Sequence, residues 1–194
     1  MNGLSKVEIY TDGAAEPNPG TGGYGIVLRH GPKIVELSRG FRLTTNNRME
    51  LMAIVVALEM LKKSWNVAFY SDSMYVVESV QQNKPELWQR KNWIRGKRKS
   101  VKNADLWQRF LNASKRHSVE GHWIKGHSGH LFNERCDVLA GEALRRPDLM
   151  VDRAYEASCM ASLSAEGRQL KHFAEKGVDR LGTSGRRSQR SLFD

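Results

Sequence analysis

Cysteine is scarce in this chain, with only Cys136 and Cys159 among 194 residues. One pair cannot build a disulfide scaffold for so long a chain, and the scarcity points to a reducing, cytoplasmic setting. Both cysteines read as small apolar helix residues rather than nucleophiles. Long hydrophobic runs are missing too. No segment approaches the roughly 20 apolar residues that cross a bilayer. The opening Met1-Asn2-Gly3-Leu4-Ser5-Lys6 lacks the apolar stretch and small-residue cleavage site of a secretion signal. No internal repeat is visible. Acid is the minority charge: 21 Asp and Glu stand against 31 Lys and Arg, a net +10. That excess favours a polyanionic partner over a membrane surface. What remains is a chain long enough for one main domain with an appendage and a core that needs no staples, and a soluble monomer is the expectation for the whole reading.

Against this background, four of the acids stand out. Asp12 ends the apolar run Val7-Glu8-Ile9-Tyr10-Thr11, and Asp72 ends the run Val67-Ala68-Phe69-Tyr70-Ser71. Glu50 opens a helix after Thr44-Thr45-Asn46-Asn47-Arg48-Met49, and Asp137 starts a late helix in Asn133-Glu134-Arg135-Cys136-Asp137. Acids at strand ends and helix starts can converge at one edge of a sheet. Converging carboxylates repel, and hard divalent cations relieve the repulsion. An acidic pocket in a basic chain therefore points to metal-assisted cleavage of nucleic acid.

The element pattern supports such a convergence. Residues 7–11 read as a strand ending at Asp12, followed by Gly-, Pro- and Asn-rich turn chemistry up to Gly23. Two strands, 25–29 and 34–41, flank Arg29-His30-Gly31-Pro32-Lys33 as a hairpin. Residues 47–63 form a helix with Leu51, Ile54, Val55, Leu58 and Leu61 on one face. A strand at 67–71 then makes a crossover unit with a parallel pairing. A helix from Ser73, capped by Ser73 or Asp72, comes next. Lys84-Pro85-Glu86 marks a break. A helix at 103–116, a strand at 119–124 with Trp123 packed, a loop at 125–130 and a helix at 133–146 complete an α/β arrangement. The sum is a mixed sheet flanked by helices. Between the break and the next helix, Arg90, Lys91, Arg95, Lys97, Arg98, Lys99 and Lys102 crowd around Trp88 and Trp93. Basic side chains suit phosphates and indoles pack on sugars or bases.

Taken in order, Asp12-Gly13, Thr45-Asn46-Asn47-Arg48-Met49-Glu50, Asp72-Ser73 and His127 with Asn133-Glu134-Arg135-Cys136-Asp137 resemble the motifs of the ribonuclease H family, type 1, over about residues 6–146. The resemblance implies a five-stranded mixed sheet whose second strand runs against the others. It also implies endonucleolytic cleavage of the RNA strand of an RNA/DNA hybrid, leaving 5′-phosphate and 3′-hydroxyl ends. Asp12, Glu50, Asp72 and Asp137 become metal ligands, and His127 becomes the loop histidine of the family. Two Mg²⁺ ions about 4 Å apart would suit an in-line displacement. Mn²⁺ should substitute.

By the same resemblance, Asn18, Asn46 and Glu50 would meet RNA 2′-hydroxyls, the handle that distinguishes RNA from DNA. Asn47 and Thr45 lie on the same turn. Thr45, Arg48 and Asn92 would contact a DNA phosphate, and Trp88 or Trp93 would pack on deoxyribose. The segment from Trp88 to Lys102, with Lys97, Arg98 and Lys99, resembles the basic protrusion of the family, a handle for substrate. Met74 and Glu78 stand where the family often has glutamine, a departure that bears on substrate contacts.

The expected division is 1–146 for catalysis, 147–181 for a helical extension in which Leu170, Phe173, Ala174, Val178 and Leu181 recur at helical spacing, and 182–194 for a flexible tail. In that tail, Gln189-Arg190-Ser191-Leu192-Phe193 resembles the short peptide that binds the bacterial sliding clamp, with Leu192 and Phe193 as anchors and Gln189 as the hydrogen-bonding group. The alternative reading of the whole is a hybrid-binding module of the same fold without catalysis.

Overall fold

The computed structural model describes residues 4–97 and 99–164. Strands β1 (Lys6–Glu16), β2 (Gly20–His30) and β3 (Lys33–Thr44) form an antiparallel meander. Helix α1 (Asn46–Met60) then crosses to β4 (Asn66–Ser71), which pairs in parallel with β1. Helices α2 (Met74–Gln81), α3 (Lys84–Arg90) and α4 (Ala104–Ser114) lead to β7 (Ser118–Trp123), parallel to β4, and α5 (Leu131–Ala143) follows. The sheet order is β3-β2-β1-β4-β7, so only β2 opposes the rest, as the family resemblance implied. Parallel neighbours need long connections, and helices α1 and α2–α4 provide them.

Two expectations need correcting. Strand β1 does not stop at Asp12 but continues to Glu16, pairing Asp12 with Gly25 and Glu16 with Thr21. The Gly-rich stretch looked like turn chemistry, yet most of it is strand. Ladder hydrogen bonds and close helix packing outweigh local propensity there. Gly25 shows the reason: a Cβ at this position would overlap the Cys136 carbonyl, so its absence lets α5 lie directly on β2. Likewise Lys84-Pro85-Glu86 begins α3 rather than breaking the chain. Proline is tolerated in a first helical turn because its missing N–H would have no intrahelical partner.

The core has two parts. The larger lies between the sheet and the helices α1, α2 and α4. Met49, Leu51, Ile54, Val55 and Leu58 of α1, Phe69 of β4 and Trp107 of α4 are fully buried in it. The smaller lies under α5, where Tyr10 and Val27 of the sheet meet Cys136 and Leu139. Strand alternation divides β1 between them: Val7 and Ile9 face the first, Tyr10 the second.

The basic segment folds as α3 followed by a small ladder, β5 (Ile94–Arg95) with β6 (Lys99–Ser100). Trp88 and Trp93 are partly buried against the main core, and Trp88 meets Trp107 edge-on with ring centroids 5.7 Å apart. The indoles therefore anchor the segment to the domain as well as edging its surface.

The first compact unit runs through Asp152. Met150 exchanges backbone hydrogen bonds with β3, accepting from Arg42 at 3.0 Å and donating to Gly40 at 2.8 Å. A second unit begins at Arg153, and its residues 153–164 are helical. Arg98, the expected helix around 170–181 and the peptide with Gln189, Leu192 and Phe193 lie outside the described residues. No helix among the described residues is long and apolar enough to cross a membrane.

Candidate active site

Three of the four acids meet where β1, β4 and α1 come together. Asp12 sits in mid-β1, Asp72 directly follows β4, and Glu50 is the fifth residue of α1. One oxygen from each lies within 4.8 Å of the others. The dipeptide Asp12-Gly13 has a steric logic. A Cβ on Gly13 would overlap the backbone of Met49 and Glu50, so glycine lets the start of α1 press against β1 and brings Glu50 to Asp12. Asp137, in the second turn of α5, stands at the rim. Its Oδ2 is 3.8 Å from His127 Nδ1.

The electrostatics are those of like charges held together. Burial pushes Asp12 up to about 7, and the charges of Asp72 and Asp137 add to it, while the Gly13 N–H, donating to Asp12 Oδ1 at 2.7 Å, works the other way. Glu50 is raised well above the ordinary carboxylate range, first by burial, then by Asp12 and Asp72. Its Oε2 is buried without a hydrogen-bond partner. A buried carboxylate oxygen left unpartnered costs several kcal/mol. The group thus holds three oxygen donors with no base among them, the donor set that hard divalent cations prefer. Cys136 lies nearby on the buried face of α5, and burial raises its thiol far above the range of a nucleophile.

The other expected residues lie at the start of α1, in the loop after β7, at α2 and on the basic segment. Thr45 is the N-cap of α1, its side chain accepting from Arg48 N at 3.4 Å. Asn46 Oδ1 accepts from Ala15 N, and Asn18 Oδ1 accepts from Asn46 N at 3.3 Å. Both amide oxygens are held by backbone, so NH₂ is the group each can offer a ligand. Asn47 is exposed beside them. His127 is exposed at φ 49°, in the loop between β7 and α5. Asn92, Lys97 and Lys99 are exposed on the basic segment. Met74, at the first position of α2, is half-exposed, and Glu78 lies 4.0 Å from Lys84.

Arg48 departs from its expected place at a phosphate. It is 3% exposed, and its guanidinium donates to both oxygens of Asp152 at 2.6 and 2.8 Å and to both of Asp105 at 2.9 and 2.7 Å. A cation saturated by two carboxylates cannot turn to a phosphate without leaving buried charge uncompensated. Asp105 and Asp152 were not singled out from the sequence. Asp152 lies five residues past Pro147, where no periodicity or motif marked it. Trp123, expected in the core, is instead half-exposed, with its indole N–H on the Asp72 carbonyl.

The RNase H family model matches residues 5–145. The chain belongs to the RNase H family. Curated relatives include the ribonuclease H of Desulforamulus reducens, 48% identical over 77% of this chain and 94% of the relative. That of Shewanella loihica is 45% identical over 81% of this chain and 99% of the relative. Among solved structures, LC9-RNase H1, a type 1 RNase H with the type 2 active-site motif, superposes with a TM-score of 0.65 at 27% identity, covering 74% of each chain. LC11-RNase H1 in complex with RNA/DNA hybrid gives 0.55 at 25% identity, over 71% of this chain and 96% of that one. RNase H enzymes are metal-dependent, and the acid cluster of this chain is suited to a cation.

Proposed function

We propose that this chain is an endonuclease that hydrolyses the RNA strand of RNA/DNA hybrids, leaving 5′-phosphate and 3′-hydroxyl ends, in primer and hybrid removal during replication and genome maintenance. The observation that carries this reading is the cluster of Asp12, Glu50 and Asp72 with its buried, unpartnered Glu50 oxygen, in a chain of the RNase H family. Asp12, Glu50 and Asp72, with Asp137 at the rim, would hold the two Mg²⁺ ions that the family resemblance implies. Mn²⁺ would substitute. Such ions, when bound, acidify a water and stabilise the leaving oxygen.

The protein groups do the rest. Burial and mutual repulsion raise Asp12 and Glu50 above ordinary carboxylates, so a bound cation would relieve the repulsion that the metal-free site carries. Asn18 and Asn46 donate NH₂ hydrogens to 2′-hydroxyls of the RNA strand, with Asn47 and the Thr45 turn alongside. His127, exposed and 3.8 Å from Asp137, shuttles a proton or assists product release. Lys97, Arg98 and Lys99 neutralise backbone phosphates, and the partly exposed edges of Trp88 and Trp93 pack on deoxyribose. Residues 1–146 suffice for this chemistry by motif, with Asp152 completing their core. The 147–181 extension thus begins within the compact unit, which runs through Asp152, and 182–194 serves as tether. Gln189, Leu192 and Phe193 dock on the bacterial sliding clamp, raising the enzyme's local concentration at DNA.

The test is cleavage of an end-labelled RNA/DNA hybrid with Mg²⁺, beside single-stranded RNA, duplex RNA and duplex DNA. Hybrid-only cutting supports the reading. Tight hybrid binding with no cutting would replace it by a binding module. For the tail, Leu192→Ala with Phe193→Ala should abolish clamp binding in a pull-down with purified clamp. Unchanged binding, or none by the intact chain, would reject the tether.

A further inference from the structure

Asp72 differs from its two companions in how it is held. Asp12 is fixed in mid-strand and Glu50 in a buried helix. Asp72 has already left β4, and Ser73, the N-cap of α2, makes no side-chain cap hydrogen bond. A carboxylate on the residue between a strand and a helix needs another restraint to stay within reach of the others. The end of β7 and the loop after it provide one on two sides. Trp123 Nε1 donates to the Asp72 carbonyl at 3.0 Å, fifty-one residues away in sequence. Beside it, Ile124 N donates to the Ser71 carbonyl at 3.1 Å, extending the β4–β7 ladder to the point where Asp72 departs. On the other side, Gly126 lies directly against the carboxylate. A Cβ built on Gly126 would overlap Asp72 Oδ2 and touch Asp72 Cγ at 3.4 Å and Cβ at 3.5 Å. Gly126 is not at a positive φ. Its lack of a side chain matters for close approach rather than for backbone freedom.

We propose that Trp123 and Gly126 are positioning residues for Asp72: the indole N–H fixes its backbone, and the bare Cα of Gly126 fixes where its carboxylate can lie. The loop that carries His127, which faces Asp137, is thereby coupled to Asp72 as well. A shift of the loop at Gly126 moves the Asp72 oxygens, and Asp72 in turn limits where Gly126 can go. This inference rests on the reading of Asp72 as a cation ligand. It goes beyond that reading by naming the two groups, on another strand and loop, that set the ligand's place.

The experiment compares Trp123→Phe, Gly126→Ala and Asp72→Asn in the full chain. Mg²⁺ binding is measured by calorimetry without substrate, kcat and KM on a hybrid, and Tm. Trp123→Phe keeps an aromatic ring and removes the donor. Gly126→Ala adds the one methyl group that Asp72 Oδ2 must avoid. Removing a group that orients a metal ligand typically alters affinity or rate by about 10–100-fold. Both variants should therefore lose about tenfold or more in Mg²⁺ affinity and in kcat at fixed Mg²⁺. KM for hybrid should stay within about twofold, and rising Mg²⁺ should recover part of kcat. A purely structural role would instead lower Tm with no Mg²⁺-dependent recovery. Wild-type Mg²⁺ affinity and kcat in Trp123→Phe and in Gly126→Ala, with both lost in Asp72→Asn, would overturn the inference and leave the site reading intact. Wild-type behaviour of Asp72→Asn would overturn the site reading itself. If Gly126→Ala fails to fold, Trp123→Phe decides alone.

Discussion

Two clusters of buried charge begin on the same helix, two residues apart. Arg48 reaches Asp105 and Asp152 in one direction, while Glu50 joins Asp12 and Asp72 in the other. The first is compensated. Every nitrogen of the guanidinium has a carboxylate, Thr44 Oγ1 donates to Asp152 at 2.9 Å, and the network ties α1, α4 and the 147–152 segment together. Burial alone would lower the Arg48 pKa, yet the two acids outweigh it and raise it; Asp105, although partly desolvated, is held low by the guanidinium. The second cluster has like charges, an unpartnered oxygen and raised carboxylates. Charge drawn into the interior thus yields a fastener in one place and a demand for positive charge in the other. The difference lies in whether the chain supplies the counter-charge or leaves it to the solvent.

The comparison can be tested by removing one acid from each cluster. The largest effect belongs to Asp12→Asn. If Asp12 is the cation ligand proposed above, hybrid cleavage should fall by on the order of a thousandfold or more, because several kcal/mol of transition-state stabilisation would go with it. Hybrid binding in a gel-shift assay should survive. Substantial turnover in this variant would remove Asp12 from its role.

Asp152→Ala should act on stability instead. Taking one partner from a buried pair leaves charge uncompensated and costs about 3–5 kcal/mol, read from urea unfolding. A drop below about 1 kcal/mol would mean that Asp105 alone suffices for Arg48.

The third prediction opposes the second in sign. With cations chelated, Asp12→Asn should be more stable than the parent at pH 8, by on the order of 1–3 kcal/mol. Asp12 is raised from 3.8 to about 7, so between those values the folded chain binds a proton that the unfolded chain has released. Stability of the parent therefore falls as pH rises from about 4 to about 7, and the advantage of the variant should vanish toward pH 4. A parent whose metal-free stability climbs through that window would contradict the arrangement.

The smallest effect concerns the solvated charges of the basic segment. Lys97→Ala or Lys99→Ala should each flatten the log–log salt dependence of hybrid binding by about 0.9 for every phosphate that the lysine neutralises, with kcat nearly unchanged. An unaltered slope would place that lysine away from the phosphates.

Much of the architecture was legible because its signals are periodic or steric. Alternation marked the start of β1, a hairpin signal marked β2 and β3, an apolar run marked β4, the apolar face of α1 marked the crossover, and the acids stood in recognisable surroundings. Boundaries failed where backbone pairing overruled composition, as in β1 beyond Asp12, where glycines serve close packing rather than turning. Arg48 was misplaced for a related reason. Its neighbours in sequence belong to the site, but its side chain leaves on the opposite side of the helix, and its partners lie 57 and 104 residues away. Asp152 carried no local signal at all, since a single acid past a proline resembles any loop residue. The role of Gly13 needed coordinates, because the Asp12-Gly13 pair does not name the helix that packs on it. That of Gly126 needed them too, because a glycine in a loop ordinarily means a bend.

The 104-residue span between Arg48 and Asp152 also has a bearing on how the chain is made. During synthesis at about 5–20 residues per second, Asp152 appears roughly 5–20 s after Arg48. Until then the helix that will hold Glu50 has Asp105 as the earlier of its two acidic anchors. Closure of the domain is thus timed by a residue outside the stretch matched by the family model. Nascent chains halted before and after residue 152 should differ sharply in their resistance to protease.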